Sequence, residues 1–279
     1  MSAIYSATLP ESRVVAAPPA GITVEIGGIP IFLRSSNPEF CGMIEQRYAG
    51  FVNPFASAEY EFEIDLNPPA APSDEDARVW KKDNLWFFER GDFHAEWDSR
   101  TRRGWVRQAP NPYAIDTVLR IVHSLVLAEE GGFLLHAASA IRSGQSFVFT
   151  GVSGAGKTTI SRLAPSDAAV LTDEISYIRR DPGGYRAYGT PFAGELARVG
   201  ENLSAPFGAL YFLVQGPVNK IEPIDDRAAT RALLRNILFF SHDEQLVKRV
   251  FDSAFEFIAG VTTARLIFTP DERVWRLIG

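Results

Sequence analysis

The sequence predicts an α/β fold with a mixed sheet, preceded by a mainly β N-terminal domain. Three observations predict it. Up to residue 110, short apolar runs alternate with polar residues and are separated by turn formers, the pattern of half-buried strands. After Asn111-Pro112 the period becomes helical, with Ile115, Val118, Leu119, Val122, Leu125 and Val126 on one face. Beyond Gly131-Gly132, short apolar runs alternate with helical segments, as in a sheet covered by helices. The expected domains are therefore residues 1–110 and 111–279.

Taken in order, residues 22–26 and 29–33 are strand-like and flank Gly27-Gly28. Two glycines between alternating runs signal a tight hairpin, since glycine tolerates positive φ at both turn positions. Asn37-Pro38 opens a short helix carrying Phe40, Met43, Ile44 and Tyr48. Alternation returns at 60–66. Residues 67–76 (NPPAAPSDED) read as an exposed loop within this region. Runs at 79–82, 85–90, 93–97 and 104–107 suggest an antiparallel meander rich in aromatics. Trp80, Trp86, Phe87, Phe88, Trp97 and Trp105 in these runs suit a small β core better than a recognition surface.

In the second half, strand-like runs are expected at 133–141, 147–150, 168–172, 175–178, 209–214, 264–268 and 274–277. Helices are expected from Lys157, over 227–240 and over 243–258. No internal repeat is visible.

Composition narrows the function classes. The 279 residues are 46% hydrophobic with a net charge of −6, an acidic balance that argues against a nucleic-acid surface. No apolar run reaches the length of a membrane span. Cys41 is the lone cysteine, so no internal disulfide forms, which fits a reducing compartment. Residues 1–20 lack the basic start and apolar run of a signal peptide. A cytoplasmic protein with neither nucleic-acid nor membrane partners is the expectation.

Chemistry is concentrated in one segment. Gly151, Val152, Ser153, Gly154, Ala155, Gly156, Lys157 and Thr158 satisfy G-x-x-x-x-G-K-[ST], between a strand run and a helix continuing through Thr159. Glycines let backbone N–H groups turn inward around phosphate oxygens, and the following helix start favours negative charge. Lys157 supplies a mobile cation to the β- and γ-phosphates, and Thr158 a hydroxyl to Mg2+. A nucleoside triphosphate with magnesium is the implied ligand pair.

Downstream, the run Val170-Leu171-Thr172 ends in Asp173 and Glu174. In a parallel sheet the neighbouring strand brings such carboxylates beside the phosphate loop, one for the metal and one to accept a proton. Asp173 as a turn cap is the simpler alternative. His136 lies inside the apolar run 133–139, where a hydrogen-bonded core histidine is the ordinary reading.

The succession LLHAAS, GVSGAGKTT and VLTDE resembles the HPr kinase/phosphorylase family and its HPr kinase-like relatives. These share a strand histidine, a loop ending in Gly-Lys-Ser/Thr and a carboxylate pair in this order. The resemblance covers residues 133–195, and the ending RLIFTPD…VW is also similar to the HPr kinase-like proteins. It implies a P-loop core similar to phosphoenolpyruvate carboxykinase in nucleotide-binding fold. It also implies ATP, Mg2+ and transfer of the γ-phosphoryl group to a hydroxyl, a serine of a protein or peptide.

On this resemblance Asp173 is the general base, and His136 sits near the base and tunes it. Glu174 stands where the parent family has a metal-side Asp, and Glu195 matches a later acid that helps with metal. Alternatively, Glu195 simply begins a helix at Leu196. The family assembles as oligomers, so a homo-oligomer is implied, although no interface signal stands in the sequence.

Arg227, Arg231 and Arg235 fall on one helical face and either clamp phosphate or acceptor or form a solvated stripe. The parent family's downstream segment is not recognisable, so the acceptor stays open. Two other readings stand beside a protein or peptide kinase: a small-molecule kinase, and a nucleotide-dependent scaffold with little turnover. A GTPase is disfavoured, because Asn219-Lys-Ile-Glu222 lacks the Asp of the guanine-reading motif. Asp181-Pro-Gly-Gly184 follows Arg179-Arg180 rather than an apolar strand end.

Overall fold

The computed structural model describes residues 20–66, 76–192 and 200–279. Its architecture is α/β with mixed sheets and a mainly β N-terminal region. The first hairpin pairs β1 (Ala20–Ile26) with β2 (Ile29–Ser35), and Gly27 and Gly28 take φ of 62° and 75° at its turn. The Asn37 side chain accepts from the Phe40 N–H and starts α1 (Pro38–Arg47), with Pro38 at its first position. Strand β3 (Tyr60–Leu66) then runs parallel to β2.

The expected meander follows as β4 (Arg78–Lys82), β5 (Leu85–Arg90), β6 (Phe93–Asp98) and β7 (Arg103–Gln108). β7 closes it by running parallel beside β3, giving a seven-stranded sheet. Of the six aromatics singled out from sequence, Trp86, Phe88 and Trp97 are buried. Phe87 and Trp105 are half-buried and Trp80 is exposed, because strand alternation sends every second ring to the outer face.

Helix α2 (Pro112–Glu130) ends where Gly131 adopts a left-handed conformation. Its apolar face does not belong to the second half alone. Ile115, Leu119 and Val122 share one core with Phe62, Phe88 and Trp97 of the first sheet, and with Leu134, Ile175, Tyr177 and Leu246 further on.

The second half is organised around β8 (Phe133–Arg142). A tight turn at Ser143-Gly144 returns the chain as β9 (Gln145–Thr150), antiparallel to the C-terminal half of β8. After α3 (Lys157–Arg162), β10 (Ala169–Thr172) pairs with the opposite edge of that same half. β11 (Ile175–Asp181) pairs with the N-terminal half of β8 and forms a hairpin with β12 (Gly184–Tyr188), a strand absent from the sequence expectation. β13 (Ser204–Gln215) pairs with β12 at its start and runs parallel to β9 further along. β14 (Lys220–Pro223), α4 (Asp226–Leu234), β15 (Ile237–Leu238), α5 (Glu244–Gly260) and β16 (Thr262–Phe268) complete the set, with β16 parallel to β13. β8, β11, β12, β13 and β9 thus pair in a closed circuit.

Three expectations are corrected. β10 is not the neighbour of β9: β8 lies between them, because the tight β8–β9 hairpin already occupies that side of β9. The helix expected over 227–240 stops at Leu234, since residues 237–238 leave it to pair with the free edge of β8. Residues 274–277 are not a strand. Asp271 caps a 3-10 helix, Glu272–Leu277, whose Val274 and Trp275 are buried against Phe149 and Leu266. No helix among the described residues is long and apolar enough to cross a membrane.

Candidate functional site

The register of three strands brings the sequence-predicted residues together. On β8, Ala137 is opposite Thr150, the last residue of β9, and Ser139 is opposite Thr172, the last residue of β10. β9 and β10 both run antiparallel to β8, so their C-terminal ends lie at the same end of the sheet. His136 stands there too, one residue before Ala137. The loop after β9 and the carboxylates after β10 therefore flank His136 even though their strands are not adjacent.

A cavity of ≈280 Å3 results. Ser153, Gly154, Gly156, Lys157, Thr158 and Thr159 line it together with His136, Asp173, Glu174 and Gln215. Gly151, Val152 and Ala155 shape the loop without lining the cavity. Glu195 lies outside the described residues. Arg227, Arg231 and Arg235 line a different cavity.

Local contacts explain the loop's shape. Ala155 N–H donates to Val152 O at 3.0 Å, and Gly154 and Gly156 take φ of 77° and 109°. A Cβ on Gly156 would lie 2.5 Å from Cζ of Phe268, so only glycine lets the loop pass over that ring. Lys157 is buried, and its Nζ donates to Gly151 O at 3.1 Å and Val152 O at 3.4 Å. The ammonium is thus held over the loop by the loop's own carbonyls. Trp275 Nε1 donates to Ile160 O at 3.1 Å, which anchors α3 from below.

The carboxylate side is held by threonines. Thr172 Oγ1 accepts from the N–H groups of Glu174 (3.3 Å) and Ile175 (3.2 Å), tightening the turn that presents Asp173. Thr190 Oγ1 donates to Ile175 O at 2.8 Å. Asp173 is buried and Glu174 half-buried. Ala137 N–H donates to Glu174 O at 2.8 Å, and Thr150 Oγ1 to His136 O at 3.0 Å, which ties all three strand ends together. Burial, and then the nearby Lys157 ammonium, hold the half-buried His136 imidazole below its ordinary range. A neutral imidazole in the same cavity as Asp173 can donate one hydrogen bond from one ring nitrogen and accept one at the other.

Sequence reasoning missed Gln215 and Asn236. Gln215 ends β13, the parallel neighbour of β9, and its Nε2 donates to Gly154 O at 2.7 Å. Gln215 lies one residue beyond the apolar run 209–214, at the strand end where site residues gather in such sheets. The Asn236 carbonyl accepts from His136 N–H at 2.7 Å, and no sequence signal marks a backbone partner. Asn219 is accounted for: its Oδ1 accepts from Thr269 N–H at 2.8 Å, so it serves the loop after β16. No cluster of three or more His, Cys, Asp or Glu side chains that could hold a metal ion forms among the described residues.

Comparison with known proteins found no match among curated proteins. The family model of the SynChlorMet cassette protein ScmC matches residues 112–256, a stretch that contains His136, the whole glycine loop, Asp173, Glu174 and Gln215. That match spans more than half of the chain, which therefore belongs to the ScmC family.

Proposed function

We propose that this chain is an ATP- and Mg2+-dependent kinase of the HPr kinase-like type. On this reading it has a P-loop core, works in the cytoplasm and transfers the γ-phosphoryl group to a serine hydroxyl of a protein or peptide. The observation that carries the reading is the cavity that joins Gly154, Gly156, Lys157 and Thr158 to Asp173, Glu174 and His136.

The residues suit the ligands. Two left-handed glycines line the cavity, a backbone conformation suited to turning N–H groups around phosphate oxygens. Thr158 and Glu174 are oxygen donors, the kind magnesium takes when substrate phosphates complete its shell. Bound magnesium neutralises charge on the transferring phosphoryl group.

The chain's own residues then have distinct tasks. Lys157 exchanges its carbonyl partners for phosphate oxygens and follows the charge developing on them. Asp173 accepts the proton of the serine hydroxyl as its oxygen bonds phosphorus, and ADP departs with the bridging oxygen. His136, kept neutral by burial and Lys157, orients the carboxylate without competing for the proton. Gln215 holds the Gly154 carbonyl and limits how far the loop opens.

The test is transfer from labelled ATP to candidate acceptors, with ADP release followed in parallel. Lys157→Ala and Asp173→Asn are both expected to lose at least about a hundredfold in turnover, in line with general-base and electrostatic contributions. Full activity in Asp173→Asn with loss in Lys157→Ala would remove Asp173 as the base. Tight ATP binding with no acceptor-dependent turnover would make the chain a nucleotide-dependent scaffold.

A further inference from the structure

A second cavity, of ≈590 Å3, opens along α4 and α5 and is lined by Arg227, Thr230, Arg231, Leu234, Arg235 and Phe255. Its floor is apolar: Phe255 is 57% exposed, an unusual position for a phenylalanine, and Leu234 lies beside it. Its rim is cationic. The three arginines are exposed, and none forms an ion pair among the described residues, whereas many of the chain's other arginines do. Asp226, at the N-terminal end of the groove, is the one acid lining it.

In a chain of net charge −6, three unpaired guanidiniums in a row over an apolar floor are complementary to an anionic, partly apolar partner. From Arg227 to Arg235 the helical rise is about 12 Å, the reach of roughly four extended residues. The row also has a direction. Arg235 is followed by Asn236, whose carbonyl accepts the His136 N–H, and then by β15, which pairs with Leu134 and Leu135. The end of the groove is therefore one residue from the strand that carries His136 into the candidate site.

We propose that this groove docks the acceptor as an acidic peptide segment carrying one large apolar side chain. Delivery of a serine to the site rests on the kinase reading, whereas docking itself needs no catalysis. Carboxylates of the segment pair with Arg227, Arg231 and Arg235, its apolar side chain covers Phe255 and Leu234, and the chain beyond Arg235 delivers its serine toward Asp173.

The experiment measures fluorescence anisotropy of the full chain without nucleotide. The probes are labelled serine peptides containing an Asp/Glu run around one Phe, the same peptide with Lys in place of the acids, and the same with Ala in place of Phe. Expected are tightest binding by the acidic Phe peptide, by about tenfold over either control, weakening as salt screens the pairs. The same peptide should bind at least about tenfold more weakly to Arg227→Gln/Arg231→Gln/Arg235→Gln and to Phe255→Ala, both checked by melting and ATP binding. Equal binding of acidic and basic peptides, or unchanged binding by either variant, overturns the proposal. Arginine-dependent binding to anionic phospholipid vesicles without peptide binding overturns it in favour of a membrane, and arginine-dependent self-association in favour of a second copy. Docking without phosphoryl transfer from labelled ATP leaves the groove standing and sinks the kinase reading. Transfer to serine peptides with no preference for the acidic one does the reverse.

Discussion

Gly156 and Phe268 show how tightly single residues constrain the site. Gly156→Ala would force a Cβ against the Phe268 ring at a φ of 109°, whereas a Cβ on Gly154 meets nothing within 4 Å. The left-handed backbone alone costs a side chain about 1 kcal/mol, and overpacking adds roughly 1–3 kcal/mol. On the proposed nucleotide-binding reading, isothermal titration with a non-hydrolysable ATP analogue should therefore show a loss of at least about tenfold in Gly156→Ala and a smaller loss in Gly154→Ala. Equal losses would mean that ring contact is not the constraint. Lys157 adds a second residue-scale effect, because its charge helps to depress the His136 pKa. In Lys157→Met the imidazole should titrate at higher pH than in the parent protein, read by NMR of the histidine ring protons.

His123 gives the protein a pH signature of its own. It is fully buried on α2, with Nδ1 3.3 Å from the Tyr177 hydroxyl, and burial followed by Arg179 lowers its pKa from 6.5 to about 3. The unfolded chain binds this proton below pH 6.5 and the folded chain does not. Stability is thus fully present above the unfolded pKa and is lost as pH falls from 6.5 towards 3, by up to about 1.4 kcal/mol per pH unit from this group. Urea unfolding at stepped pH should show a shallower slope across that window in His123→Leu.

At the scale of elements, α1 and α2 are joined by charge rather than by apolar packing alone. Asp116 of α2 accepts from Arg47 Nη2 at 2.5 Å and from the Tyr48 hydroxyl at 2.5 Å, and both the carboxylate and the tyrosine are buried. Asp116→Ala leaves a guanidinium and a hydroxyl without this partner, which should destabilise the fold by roughly 3–5 kcal/mol in denaturant unfolding. Elements such as α1, α2, β3 and β5 were legible in sequence because each carries its own period and its own Asn-Pro or Gly punctuation. β12, β14 and β15 were not, since they are short and depend on an edge supplied by β11, β16 or β8. The 3-10 helix was misread for a related reason. The run Val274-Trp275 is apolar enough for a strand, but its place is decided by Asp271, by Trp275 bonding α3 and by Arg142 donating to Trp275 O and Ile278 O.

For the whole molecule, the expected boundary at 110/111 cuts through a shared core. Leu134, Tyr177 and Leu246 pack in one cluster with Phe62 and Trp97, and Arg179 donates to Gly27 O at 3.0 Å. Residues 111–279 expressed alone should expose the apolar face of α2 and lack fixed aromatic packing, seen as loss of near-ultraviolet circular dichroism. A sharp thermal transition in that fragment would show that it is self-sufficient. The candidate site was legible as three motifs in a row, because each has strong local chemistry. Their meeting through β8, rather than through adjacent parallel strands, was hidden, since strand order is a property of the assembled sheet.

The closed circuit of β8, β11, β12, β13 and β9 also bears on how fast this chain reaches its native state. β8 finds its partners in residues as far along as 237–238, and β9 waits for β13, so little of the circuit forms by local search. Loop closure must precede most of the gain in pairing, which makes folding slow and leaves apolar strand edges exposed meanwhile. Refolding yield should therefore fall with protein concentration and recover on slow dilution.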